Sequence, residues 1–143
     1  MEKFDLERFV RAQARDYETA RRELLAGRKQ SHWIWYIFPQ LKGFGHSYES
    51  EYYGISGIEE AKAYLAHPVL GARLREVTDI MLSLPESDPR AVLGSGIDAK
   101  KFRSSMTLFR LAAPEEECFL LALEKYFGGV LDGLTVERTK GEA

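Results

Sequence analysis

Apolar positions recur at helical spacing along most of this chain, and period-two alternation is absent. Leu6, Val10, Tyr17, Ala20 and Leu24 fall on one face of a segment that Asp5 can cap and Gly27 can end. Gln13 lies on that same apolar face, where a buried amide must find partners. Ile58–Ala66 reads as a helix capped by Ser56, and His67-Pro68 opens another. There Leu70, Leu74, Val77, Met81 and Leu84 alternate steps of four and three until Pro85. Asp88-Pro89 starts a short helical turn to Leu93, and Gly94-Ser95-Gly96 breaks the chain. Asp98 then caps a helix to about Ala113 with Phe102, Met106 and Phe109 on its core face. A last long helix begins at Pro114, carries acids in its first turn, and ends at Gly128-Gly129. The tail from about residue 137 is polar and reads as frayed. The pattern predicts an all-α fold: a single compact domain, residues 1–143, of about five to six helices with a long aromatic-rich loop.

Residues 31–53 break the pattern. Eight of the 17 aromatic residues lie between His32 and Tyr53, and no formal charge occurs from Ser31 to Leu41. His32–Phe38 fits either a short helix capped by Ser31 and stopped by Pro39, or a buried strand. Lys42–Gly57, rich in Gly, Ser and Tyr, reads as a long loop, and such loops in small domains carry function or are disordered. Indole, phenol, imidazole and amide groups together form a surface suited to stacking on a flat ligand and bonding its edges. The same groups would also suit a well-packed core helix and loop.

A second unusual stretch runs from Asp98 to Thr107. Lys100, Ser104 and Thr107 share one helical face, opposite the Phe102/Met106 face. Hydroxyls beside lysines near a helix N-terminus can hold an anionic group, although a solvated polar face has the same composition.

Composition narrows the alternatives. The 143 residues suffice for one core, and a formal net charge of -2 gives no general reason to expect nucleic acid. A lone Cys118 permits no internal disulfide and, with no signal peptide or membrane-spanning run, suggests a cytoplasmic protein. The three histidines and one cysteine lack metal-ligand spacing, so neither metal nor cofactor is expected. No Walker loop, dinucleotide fingerprint or nucleophile elbow is present.

Three ordered runs, GRKQSHWIWYIFPQLKGFG, AKAYLAHPVLGARL and DAKKFRSSMTLF, resemble the signature segments of a bacterial family of small helical proteins. The family is known as the domain of unknown function numbered 1810 and sometimes carries the label calpastatin, a name for long disordered inhibitors. The resemblance extends from Phe9 to Thr135 and implies a mainly α-helical domain with no established activity. A fainter resemblance links YESEYYGI, AKAYL and LGARL to the helical family of NAD and ADP-ribose chemistry, which acts on N-glycosidic bonds. That likeness implies Glu51 as an acid or base. The later tryptophan of that family has no counterpart here.

The reading that follows is binding, with hydrolysis as a further expectation, of a small anionic ring-bearing metabolite such as a nucleotide or ADP-ribose derivative. Trp33, Trp35 and Tyr53 would stack on the ring, with Gln40 beside them. Lys100, Lys101, Ser104 and Thr107 would meet the anion, and Glu51 or His32 would move protons. The expected partner is thus a small molecule, with no membrane and no nucleic acid. The alternative is a non-enzymatic protein-interaction module using the aromatic 31–53 segment.

Overall fold

The computed structural model describes residues 3–142. Nine helices are present among them: α1 (Glu7–Leu25), α2 (Ile34–Ile37), α3 (Tyr48–Tyr52), α4 (Ile58–Ala66), α5 (Leu70–Ser83), α6 (Pro89–Leu93), α7 (Gly96–Ala112), α8 (Glu117–Phe127) and α9 (Gly133–Arg138). Helix α7 is the hub. It packs on α8, α4, α6, α9 and α2, while α5 bridges α1, α4 and α8. Phe102, Met106 and Phe109 are fully buried along it, each contributing about 1.5–3 kcal/mol of apolar burial. The result is an all-α, single compact domain, with no β-strand among the described residues beyond an isolated bridge between Leu41 and Ile55.

The sequence locates the long helices well and their caps less well. Leu6, not Asp5, is the N-cap of α1, and it makes no side-chain cap bond. Ser95, not Asp98, caps α7 by accepting from the Asp98 N–H, so this helix starts at Gly96. Pro114 and Glu115 precede α8, whose N-cap is Glu116. At α4 the N-cap is Gly57; Ser56 instead donates its N–H and hydroxyl to Glu60 Oε1, both at 2.9 Å. His67 does close the α5 start, its Nδ1 accepting from Val69 N at 3.1 Å and Leu70 N at 3.2 Å. Gly71 lets that corner fold: a Cβ there would lie 2.1 Å from the Leu65 carbonyl oxygen.

Residues 32–38 are helical for one turn only, with Trp33 as N-cap and Phe38 as C-cap. The long loop folds back on the chain that precedes it. Lys42 N donates to Ile55 O and Ile55 N to Gln40 O, both at 2.9 Å. Within that loop, Ser47 caps the extra helix α3 by accepting from Ser50 N. Arg8 braces the loop exit, donating to the carbonyls of Tyr52 at 2.8 Å and Gly54 at 3.0 Å while pairing with Glu60 at 2.8 Å.

The C-terminal segment, read from the sequence as a polar tail from about residue 137, makes contacts with the rest of the domain. Asp132 caps α9 through Thr135 N at 3.0 Å. Arg138 stacks 4.9 Å from the Phe44 ring, and Glu142 Oε1 accepts from Ile58 N at 2.9 Å. These contacts hold the segment over Phe44 and the start of α4, and α9 packs on α7.

Candidate functional site

Trp33, the N-cap of the one-turn α2, and Trp35 within it lie in different environments. Trp33 is 1% exposed. Its N–H donates to Glu23 Oε1 at 2.9 Å, and Lys29 Nζ lies 5.1 Å from its ring. Glu23 also accepts from Gln30 N, Ser31 N and the Ser31 hydroxyl at 2.6–2.9 Å. Burial pushes this carboxyl upward, but the four hydrogen bonds outweigh it and hold the group down at about 2. Glu23 therefore ties the end of α1 to the start of α2. Trp33 is part of that joint, and its ring offers no face for a ligand.

Trp35 is half-buried and meets α7. Lys101 Nζ lies 5.2 Å from its ring centroid. Beside this contact a groove of about 360 Å³ is lined by Gln40, Phe44, Lys100, Lys101, Ser104 and Asp132. Segments 31–53 and 98–107 thus meet in space and share a groove. Ser104 is 5% exposed at its floor. Thr107 is fully buried, and its hydroxyl accepts from Asp132 N at 2.9 Å. That oxygen anchors α9 and does not face the groove, because α9 covers the helix face that the sequence presents as solvated.

On the other side of Trp35 lies a groove of about 510 Å³ with Arg15, Asp16, His32, Tyr36, Tyr48 and Tyr53 among its walls. A slot of about 10 Å³, lined by Trp35, Gln40, Glu49 and Tyr53, adjoins both grooves. The Trp35 N–H is buried and has no acceptor among the described residues. Tyr36 donates its hydroxyl to Asp16, and Arg15 reaches that hydroxyl at 3.5 Å. Burial and the Asp16 carboxylate push the Tyr36 phenol up to about 12, and burial raises Tyr53 as well. Both remain protonated hydrogen-bond donors at neutral pH.

The other residues singled out in the sequence divide. His32 is exposed and lines both the tyrosine groove and a groove of about 300 Å³ with Lys29, Ile97 and Asp98, but not the groove that holds Lys100 and Lys101. Glu51 is exposed, 4.0 Å from Lys42, and lines neither groove. The helical turn of α3 instead sends Glu49, two positions earlier, toward the site. Arg15, Asp16 and Glu49 carry no motif and became visible only when the fold set α1 and α3 on the walls of one groove. Asp98, read as a cap, is the ion-pair partner of buried Lys29 at 2.9 Å.

The largest groove, about 650 Å³, lies elsewhere, between α4, α5 and the α7–α8 connection. Its Arg75 is committed to Glu116 through two bonds of 2.7 Å. The aromatic grooves are smaller, but they combine polar groups with aromatic rings, which the lining of this groove lacks. Among the described residues no group of three or more His, Cys, Asp or Glu is placed to hold a metal ion. Nor is any helix long and apolar enough to cross a membrane. Cys118 is half-buried, and burial with nearby Glu116 and Asp79 pushes its thiol up to about 11, away from nucleophilic use.

The fold and sequence have a close counterpart in a solved structure. The conserved hypothetical protein Rv1873 from Mycobacterium tuberculosis is 45% identical and superposes with a TM-score of 0.93, over 96% of this chain and 98% of that one. No curated protein matches the chain. The family described as "Protein of unknown function (DUF1810)" matches residues 3–139, and this chain belongs to that family.

Proposed function

We propose that the groove beside Trp35 binds a small anionic, ring-bearing metabolite such as a nucleotide or an ADP-ribose derivative. The observation that carries this reading is the Lys101 ammonium 5.2 Å from the Trp35 ring, at the edge of a groove that also holds Lys100, Ser104 and Gln40. Two ammoniums and a hydroxyl give a phosphate charge-assisted anchors. Phe44 supplies an aromatic wall of this groove, and stacking contributes roughly 1–3 kcal/mol per ring. Micromolar affinity, about -8.2 kcal/mol, is within reach of such a set without a metal.

Hydrolysis of an N-glycosidic bond is the further step this reading allows. Its acid or base would come from Glu49 or Asp16, which line the adjoining groove, and not from Glu51, which lies outside it. The lone cysteine supports a cytoplasmic setting. A thermal-shift panel of nucleotides, dinucleotides and sugar phosphates tests the binding. A ligand at one hundred times its dissociation constant should add roughly 2.7 kcal/mol of stability. Chromatography of ADP-ribose derivatives incubated with the protein tests the hydrolysis.

One observation favours the alternative, a non-enzymatic interaction module. Tyr48 is 72% exposed and Tyr52 37%, and their rings stack at 5.5 Å and 10°. Exposed aromatic pairs of this kind are suited to a protein interface. No thermal shift with any ligand at millimolar concentration would favour that alternative.

A further inference from the structure

The two grooves flanking Trp35 differ in charge. The groove on the α7 side sets Lys100 and Lys101 against Asp132. The groove on the α1 side sets two carboxylates, Asp16 and Glu49, against the single guanidinium of Arg15, which already pairs with Asp16 at 3.1 Å. The Glu49 carboxylate has no ion pair or hydrogen bond among the described residues. Tyr36, Tyr48 and Tyr53 line the same groove, the Tyr36 and Tyr53 rings 5.0 Å apart and the Tyr48 side chain 72% exposed. An aromatic wall with an uncommitted carboxylate is the chemistry that recognises an organic cation. The groove already shows this preference internally, because the Arg15 guanidinium lies 5.8 Å from the Tyr36 ring.

We propose that the groove formed by Tyr36, Tyr48, Tyr53 and Glu49 is a second recognition site, one that takes a positively charged heteroaromatic ring. The proposal rests on the reading of the Trp35 grooves as one ligand site and narrows its ligand class to a molecule with opposite charges at its two ends. The anionic end meets Lys100 and Lys101. The cationic ring lies between the tyrosines and Glu49. The slot lined by Trp35, Gln40, Glu49 and Tyr53 marks where the two grooves approach one another.

Amide-resolved NMR titration separates the two claims. The probes are adenosine, whose base is neutral, and 1-methyladenosine, whose base is positively charged, each with and without a 5′-phosphate; inorganic phosphate is the fifth. Phosphate-free 1-methyladenosine should shift the amides of residues 48–53 and bind at least about fivefold tighter than adenosine. Glu49→Gln should reduce that preference toward unity while leaving inorganic phosphate binding unchanged. Tyr48→Ala, at a side chain 72% exposed, should weaken the methylated base without unfolding the protein.

Equal binding of the two bases, or a preference that survives both substitutions, overturns the cation site. If phosphate then still shifts Lys100 and Lys101, the anion groove stands alone. Binding of 1-methyladenosine with no gain from its phosphate supports the cation site and overturns the anion groove. No shift with any probe overturns both.

Discussion

Lys101 on α7 lies over the indole of Trp35 on α2, its Nζ 5.2 Å from the ring centroid. The contact joins the two stretches with the most unusual chemistry in the sequence. It is partly solvated, and cation–π pairs at such sites contribute roughly 0.5–1 kcal/mol. Lys101→Ala should therefore lower the stability of the free protein by about 1 kcal/mol or less in urea unfolding. A loss above about 2 kcal/mol would make Lys101 a structural pin and not a ligand group.

Trp33 should behave differently from Trp35. It is 1% exposed, it packs against Phe38, and its N–H is held by Glu23. Trp33→Ala should cost roughly 3–5 kcal/mol through the cavity and the loss of one of the four hydrogen bonds to Glu23. Trp35→Ala should cost clearly less. Equal urea midpoints for the two variants would contradict the assignment of one tryptophan to the core and the other to the site.

Acid should weaken the α1–α2 joint. Glu23 is held at about 2 in the folded chain, below its ordinary value of 4.5. A depressed carboxyl stabilises the fold above its unfolded value and loses that contribution as pH falls through the folded one. After discounting for solvent, the contribution is about 1–2 kcal/mol. The stability difference between the natural chain and Glu23→Gln should be constant above pH 5 and should shrink between about 4.5 and 2. A difference independent of pH over that window would mean that the carboxylate is not the tie.

The Arg8–Glu60 pair is the other joint, with side chains 9% and 4% exposed. Glu60→Ala would strand a buried guanidinium and release Ser56 N. Its expected cost is about 3–5 kcal/mol. Proteolysis should become faster in the loop that Arg8 braces at Tyr52 and Gly54. A variant with unchanged denaturation midpoint would remove this pair from the account.

Periodicity carried the fold because long amphipathic helices write their core faces directly into the chain. Phe102, Met106 and Phe109, chosen by spacing alone, are fully buried. Short elements were less legible. The one-turn α2 is apolar on every face, so no period distinguishes it from a strand, and α3 and α9 are too short for a stripe. Asp98 pairs with Lys29 instead of capping α7, and Ser95 takes that cap.

The site was half legible. Aromatic density pointed to Trp35 and Tyr53, and helical phase brought Lys100 and Ser104 together. The same density could not separate Trp33 from Trp35, because their difference is set by Glu23, a residue in another helix. Nor could it reveal Asp16 and Glu49, ordinary surface acids until the fold sets α1 and α3 on the walls of one groove.

We propose above all that the groove between α7 and the Gln40–Phe44 segment binds an anionic, ring-bearing metabolite. The most direct measurement is calorimetric titration of the purified protein with AMP and ADP-ribose, at low and high salt, for the natural chain and for Lys101→Ala. The account predicts a micromolar dissociation constant for at least one of the two. It also predicts a loss of about tenfold in Lys101→Ala at low salt, and a smaller loss at high salt. No heat of binding at millimolar ligand, or affinity indifferent to Lys101 at low salt, would contradict it.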